Sequence, residues 1–196
     1  MTRNEPLRDG DWNVSPYNFD PDVRAGMNLP EQVEVVDLSL REGRQVAGVA
    51  LTLDEVLEYA TRSAAAGFTT LEMHHSEPEE IRRVTELDLD IKVQSLVHPT
   101  ASLNPDHCRQ EIDESLEVGA EVICLSAMVS DYNHSLLKEL GGVDVTREEH
   151  IDAICEMVRH GKEQGGIISV LLADHTRLDI DRLVRFTAQI ADAGAD

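Results

Sequence analysis

Short apolar runs alternate with segments of helical periodicity from Val33 to the end of the chain, and this alternation restricts the fold more than any other feature. Continuous apolar runs are typical of parallel strands, because helices cover both faces of a parallel sheet. The runs that fit this description are Val33–Leu40, Phe68–Met73, Ile91–Val97, Val122–Ser126 and Ile167–Ala173. Five such β–α repeats predict an α/β fold with a parallel sheet and right-handed crossovers.

The predicted helices between these runs carry recognisable signals at their ends. Thr52, Asn104 and Thr146 stand where N-cap residues are expected, each followed by acidic residues or a proline in the first turn. Gly67 and Gly119 follow the last helical positions, as helix-terminating glycines do. Residues 1–30 lack such patterns and are rich in Asp, Asn, Pro and Gly, so we expect an irregular N-terminal arm before a domain that spans residues 31–196.

Charge and cysteine content exclude some classes of partner and compartment. The formal net charge is −21, from 38 acidic and 17 basic residues, and such a chain repels nucleic acid phosphates and anionic membranes. No apolar stretch approaches the roughly 20 residues of a membrane span, and the N-terminus has no signal-peptide core. Cys108, Cys124 and Cys155 are widely spaced, which favours reduced thiols. We therefore expect a cytoplasmic protein.

The segment Asp37–Gln45 places an arginine, a carboxylate, a glycine and an amide directly after the first predicted strand. A guanidinium beside an oxygen ligand suits enolate chemistry, in which a metal holds a 2-oxo acid and the cation stabilises developing negative charge. The alternative interpretation is an exposed salt-bridged turn, since charged turns are common.

Arg41-Glu42-Gly43-x-Gln45, followed by Gly48-Val49, resembles the first-strand signature of a family of metal-dependent TIM barrels. The family contains the 2-isopropylmalate, homocitrate and citramalate synthases and the hydroxymethylglutaryl-CoA lyases, which share a pyruvate carboxyltransferase domain. Ser39, Arg44 and Ala47 depart from the usual pattern. A full (β/α)8 barrel takes about 250 residues, so the resemblance implies an incomplete TIM barrel of about five βα units, the N-terminal portion of the catalytic domain.

The resemblance also implies roles for residues at the first two strand ends. Arg41 would stabilise the enolate or carbonyl oxygen as a catalytic residue, Glu42 would be the metal ligand, and Gln45 would bind the 2-oxo acid. Glu72 matches a glutamate that orients the arginine as part of the catalytic machinery, although a plain structural ion pair is the alternative. Of His74 and His75, at most one points into the barrel mouth, because adjacent strand residues face opposite sides.

Later strand ends supply further candidates by the same resemblance. His98 stands where relatives often have an arginine that binds the substrate carboxylate. Ser130-Asp131-Tyr132-Asn133-His134 resembles the family's S-D-x-H loop with one more residue before the histidine, and we assign His134 to the catalytic set. Asp174 and Arg177 match the family's E-D-x-x-R element, so Arg177 is a substrate-binding candidate. Ala173, however, replaces the glutamate that is implicated in catalysis, which puts the usual acid–base cycle in doubt. His175 is an alternative proton carrier.

The implied reaction is a Claisen-type condensation of acetyl-CoA, as co-substrate, with a small-molecule 2-oxo acid. The implied cofactor is a divalent metal, Mg, Mn or Zn, with an incomplete site, because the family's H-x-H ligand pair is absent from the sequence. A substitute site from Glu42, Glu72, His98 and one of His74 or His75 is an alternative. Two other functions stay open: a hydroxymethylglutaryl-CoA lyase-like carbon–carbon cleavage, and a catalytically silent barrel that acts in binding or assembly. Exposed sheet edges predict a homo-oligomer or a partner chain that completes the barrel.

Overall fold

The computed structural model describes residues 15–28, 30, 33–98, 101–142 and 144–196. The chain divides into two compact units, residues 1–33 and 34–196. In the described part of the first unit, a 3-10 turn at Pro16–Phe19 precedes helix α1, Pro21–Arg24, which Asp20 caps by accepting a hydrogen bond from the backbone N–H of Asp22 at 2.8 Å. The arm expected over residues 1–30 stays a prediction, since residues 1–14 and 29 lie outside the described residues.

The second unit is built on a sheet of five parallel strands that pair in chain order. The strands are β1 (Val36–Asp37), β2 (Thr70–His74), β3 (Lys92–Val97), β4 (Val122–Met128) and β5 (Ile167–Ala173). The helices of this unit are α2 (Leu53–Ala66), α3 (Pro78–Thr85), α4 (Pro105–Glu117), α5 (Asp131–Gly141), α6 (Arg147–Glu163) and α7 (Ile180–Asp192). The predicted α/β fold of an incomplete TIM-type barrel is confirmed.

Alternate residues along each strand separate two environments. The odd-numbered positions of β2 and β3, such as Leu71, Met73 and Val93, are buried in the apolar core with helix residues such as Ile81 and Ile112. The even-numbered positions Glu72 and Gln94 are paired neighbours in the register of β2 and β3 and bear polar side chains. The opposite face of the sheet therefore holds polar groups, and this face leads to the candidate site.

The first strand is shorter than the sequence predicts, two residues rather than the eight of Val33–Leu40. Asp37 ends the strand, because its carboxylate accepts a hydrogen bond from the backbone N–H of Ser39 at 2.9 Å. Residues 33–35 have no strand structure. The Leu38 carbonyl then accepts from the backbone N–H groups of Arg41 and Glu42, which makes a turn of residues 39–42. Arg41 and Glu42 therefore lie in the turn after the strand.

The segment that contains His134 is a helix rather than the expected loop. Ser130 caps α5 by accepting a hydrogen bond from the backbone N–H of Asn133 at 3.1 Å. The three N-caps expected from the sequence are present, and Thr52 and Thr146 each form a complete capping box with a glutamate three residues later. In the described part of the chain, no helix has the combination of length and apolarity that crossing a lipid bilayer requires.

Gly119 lies between α4 and β4. Its backbone conformation and its closeness to Thr85 leave no room for a side chain. Its φ is 101°, and a Cβ at this position would lie 2.8 Å from the hydroxyl oxygen of Thr85. The single hydrogen of that hydroxyl is shared between the carbonyls of Arg82, at 2.8 Å, and Val118, at 3.2 Å, so the hydroxyl resists displacement. Gly165 has a similar φ of 90° but nothing within 4 Å of such a Cβ.

We expect Gly119→Ala to destabilise the protein by about 1–2 kcal/mol more than Gly165→Ala, because only the former adds a steric contact to the backbone strain. Urea denaturation followed by circular dichroism measures both free energies of unfolding. Equal losses for the two variants would contradict the close approach of Thr85.

Candidate active site

A buried carboxylate and a partly buried guanidinium form the centre of the candidate site. Glu72 on β2 is 3% exposed, and its Oε1 accepts a hydrogen bond from Nε of Arg41, which lies in the turn after β1. Its other oxygen, Oε2, accepts from the side-chain amide of Gln94 on β3. Neighbouring strands thus supply all three groups, and the carboxylate fixes the orientation of the guanidinium.

Glu42 is the second carboxylate beside Arg41. Its Oε2 accepts from Nη1 of Arg41, and its side chain is 60% exposed. The arginine therefore has one buried and one exposed acidic partner. Glu42 keeps its predicted metal-ligand role only as a prediction, since in this arrangement its carboxylate faces the guanidinium.

A cleft of about 460 Å³ opens beside Arg41. Its lining includes the arginines Arg41 and Arg44, the amide of Gln45 and the ring of His74, with Glu77 as an acidic member. Arg44 is held by Glu80 through two hydrogen bonds of 2.5 and 3.3 Å. A cleft of this size with two guanidinium groups and an amide suits a small molecule that bears a carboxylate.

Burial and the charge of Glu72 also change the pKa of the Cys124 thiol on β4. Desolvation by burial, followed by the nearby Glu72 carboxylate, raises the pKa of the Cys124 thiol to about 12. The thiol is therefore neutral at physiological pH. Cys124 serves the site as a small packed group and not as a nucleophile.

The remaining predicted residues lie at other strand ends and make local contacts. The imidazole Nε2 of His134 donates to the Val145 carbonyl at 2.7 Å, between α5 and the segment before α6. Arg177 is 67% exposed and donates through Nη1 to both oxygens of Asp174, at 2.9 and 3.0 Å. Asp174 in turn accepts from the Ser130 hydroxyl at 2.5 Å, and this hydrogen bond lowers the pKa of its carboxyl.

His98 lies in a separate group of imidazoles, which we call the histidine cluster: His74, His75 and His98. Its Nδ1 lies 2.6 Å from Nε2 of His75 and 3.1 Å from a carboxylate oxygen of Glu111 on α4. His107, one turn earlier on α4, lies with its Nε2 3.0 Å from the same oxygen. The role of His98 in binding a substrate carboxylate stays a prediction.

The residues of the described chain do not make the hard-cation site that the family resemblance implies. Glu42 is paired with Arg41, both oxygens of Glu72 accept from Arg41 and Gln94, and the sequence has no H-x-H pair. A divalent cation such as Mg²⁺ needs several ligands in fixed geometry. The substitute set of Glu42, Glu72, His98 and one of His74 or His75 stays a prediction, and in this structure both oxygens of Glu72 already accept hydrogen bonds from Arg41 and Gln94.

Three residues that contact the candidate site or the histidine cluster were not identified from the sequence. Gln94 could have been found as a polar residue in the middle of an apolar strand, at a position that pairs with Glu72. Glu111 and His107 are four residues apart on α4 and share a helix face. Nothing in the sequence alone placed that face beside the ends of β2 and β3.

The family model and the similar curated proteins indicate the same family. The model of the family described as HMGL-like matches residues 32–196. A 2-isopropylmalate synthase of Caldanaerobacter subterraneus is 29% identical over 84% of this chain and 41% of its own length. A homocitrate synthase of Sulfolobus acidocaldarius is 30% identical over 86% of this chain and 35% of its own length. The chain thus spans less than half the length of these relatives.

Among solved structures, a presumed deoxyribose-phosphate aldolase from Coccidioides immitis is similar with a TM-score of 0.55. It is 16% identical, and the match covers 76% of this chain and 53% of that one. At this level of identity the likeness concerns the fold alone.

Proposed function

Because the chain belongs to the HMGL-like family, we propose that it carries the electrophilic part of an active site for Claisen-type condensation of acetyl-CoA with a 2-oxo acid. The observation on which the proposal rests is the Arg41–Glu72 pair beside the cleft. Relatives named as 2-isopropylmalate and homocitrate synthases support an acyl-condensing activity.

In the proposed reaction, Arg41 and Gln45 donate hydrogen bonds to the carboxylate and carbonyl oxygen of the 2-oxo acid. Loss of a methyl proton turns the acetyl thioester into an enolate, whose carbon forms a bond to the carbonyl carbon of the 2-oxo acid. The carbonyl electron pair moves to oxygen, where the Arg41 guanidinium stabilises the alkoxide before it takes up a proton. Water then hydrolyses the thioester and releases CoA.

Glu72 acts in this proposal by holding Arg41 in place. A guanidinium with a buried carboxylate at Nε loses little freedom when it binds the substrate, so its charge is preorganised for the transition state. We assign removal of the methyl proton to His134 or His175, because Ala173 ends β5 without a carboxylate.

The test is release of CoA thiol from acetyl-CoA in the presence of short, branched and dicarboxylic 2-oxo acids. We expect Arg41→Lys to lower kcat/KM at least about tenfold, since an ammonium cannot keep both the Nε contact to Glu72 and a second donor for substrate. Arg62→Lys is the matched control, because Arg62 pairs with Glu58 on the exposed face of α2 and lies outside the site.

Activity that is equal in the two lysine variants would contradict the role of Arg41. Absence of CoA release with every 2-oxo acid, together with release of acetyl-CoA from a 3-hydroxyacyl thioester, would support the lyase direction instead.

A second candidate is a non-catalytic role in binding or assembly. Ile167 and Leu171 on β5 are 36% and 44% exposed, and β5 pairs with β4 alone in the described sheet. An exposed strand edge with apolar side chains favours association. Sedimentation of the purified protein tests this candidate: association that Leu171→Arg weakens would support it, and a strictly monomeric protein would argue against it.

A further inference from the structure

The histidine cluster of His74, His75 and His98 lies at the carboxyl ends of two neighbouring strands. His74 ends β2 opposite Leu96 of β3, and the backbone N–H of His75 donates to the Leu96 carbonyl at 3.2 Å. This register brings His98, the residue after β3, against the pair. The ring centroids are 4.3–4.9 Å apart, and one nitrogen from each ring lies within 4.8 Å of one nitrogen from each of the others.

A buried carboxylate faces the cluster from the helix layer. Glu111 on α4 is 3% exposed, and its Oε1 lies 3.1 Å from Nδ1 of His98 and 3.4 Å from Nε2 of His75. The other oxygen, Oε2, is buried and has no hydrogen-bond partner among the described residues. A buried carboxylate with one oxygen unpaired requires a compensating charge.

Burial affects two rings of the cluster, His74 and His75. Desolvation by burial lowers the pKa of His74, with the closeness of His98 as the next cause. Desolvation by burial also lowers the pKa of His75 and outweighs the opposing effect of Glu111. Neutral imidazole is the form that binds metals, and the closeness of one nitrogen from each ring suits three such ligands around a single ion.

We propose that His74, His75, His98 and Glu111 bind a divalent transition metal of the zinc type. In a tetrahedral zinc site with ligand bonds of about 2.1 Å, the ligand atoms are about 3.4 Å apart. The distance from His75 Nε2 to His98 Nδ1 is 2.6 Å, and their distances to Glu111 Oε1 are 3.4 and 3.1 Å, so small movements admit an ion. Three imidazoles and one carboxylate favour zinc, cobalt or nickel over magnesium.

His107 would support this site without belonging to the ligand set. Its Nε2 lies 3.0 Å from Glu111 Oε1, within hydrogen-bond distance, and a hydrogen-bonded ligand carboxylate is typical of metal centres. The proposed site is distinct from the family's cation position at Glu42, whose carboxylate pairs with Arg41. Because His74 also lines the cleft, a metal here would lie next to the proposed substrate position.

The test uses the full chain, stripped with a chelator and titrated with Zn²⁺ against a chromophoric competitor, and separately with Co²⁺. We expect one equivalent of Zn²⁺ per chain and the intense visible absorption of tetrahedral Co²⁺. X-ray absorption of the zinc form should show a shell of nitrogen and oxygen neighbours with imidazole scattering. These readouts on the unsubstituted protein do not depend on whether a variant folds.

Substitution of the ligands should then weaken binding in a residue-specific way. We expect His75→Gln, His98→Gln and Glu111→Gln each to raise the zinc dissociation constant by at least about tenfold. His160→Gln is the matched control, since His160 lies outside the cluster, with its Nε2 2.7 Å from Asp113 Oδ1. The zinc affinity of this variant should match that of the unsubstituted protein.

No binding by the unsubstituted protein, six-coordinate Co²⁺ spectra, or equal weakening in the His160 control would overturn the proposal. None of these measurements involves CoA or a 2-oxo acid. A failed metal site therefore leaves the proposed condensation untouched, and a failed condensation assay leaves the metal site to be judged on its own data.

Discussion

Replacing Glu72 with alanine should lower the free energy of unfolding by about 3–5 kcal/mol, the cost of removing one partner from a buried ion pair. The substitution removes the buried partner of the Arg41 guanidinium, whose side chain is only 11% exposed. It also leaves the amide of Gln94 without its acceptor. Chemical denaturation monitored by circular dichroism measures the loss.

Glu58→Ala is the matched control for this prediction. Glu58 also pairs with an arginine, Arg62, but that pair is exposed on α2, with side chains 60% and 77% accessible. Exposed pairs of this kind contribute about 0–1 kcal/mol. Similar losses for the two alanine variants would mean that Glu72 is not the buried anchor of Arg41. A double variant, Arg41→Met with Glu72→Leu, should regain part of the stability, because it removes both charges together.

Acid should destabilise the protein through His150, and the loss should reach at most about 3 kcal/mol between pH 7.5 and pH 4. His150 on α6 is 1% exposed, and burial lowers its pKa to about 4 from an ordinary value of 6.5. Its Nε2 accepts a hydrogen bond from the backbone N–H of Met128 at 3.2 Å. The proton of the neutral ring therefore lies on Nδ1, which donates to the Ser102 hydroxyl at 2.7 Å.

The direction of this change in stability follows from proton binding by His150 in the folded and the unfolded chain. Below pH 6.5 the unfolded chain protonates this histidine, whereas the folded chain does so only near pH 4. Proton uptake on unfolding therefore makes stability fall as the pH is lowered through that window. Protonation of His150 in the folded chain would also place a hydrogen on Nε2, which would then face the backbone N–H of Met128 in place of accepting from it.

His150→Gln should reduce the pH dependence, because glutamine does not titrate. The quantity to compare is the change in the free energy of unfolding between pH 7.5 and pH 4.5, since carboxylates such as Asp37, whose pKa is also lowered, contribute equally to both proteins. Although burial contributes the largest effect on Asp37 and acts in the opposite direction, its hydrogen bonds from Ser39, Ser63 and Tyr59 outweigh it. An unchanged slope in His150→Gln would refute the prediction.

The sequence by itself determined the order of strands and helices, because the signals for these elements are local. A run of apolar residues predicted β5 at its observed bounds, and side chains such as Thr52 and Thr146 cap helices through atoms three residues away. Where a local signal competed with another, the prediction was wrong. The turn made by Asp37 ended β1 before Leu40, and the segment predicted as a loop is helix α5, which Ser130 caps.

Only the tertiary structure decided which polar groups meet. The pairing of Glu72 with Gln94 depends on the register of β2 and β3, and the contact of Glu111 with His98 depends on how α4 packs over that register. These contacts join residues 22 and 13 positions apart in the chain. No local pattern encodes them, because the free energy that fixes the register comes from burial of the whole core and not from the residues that make the site.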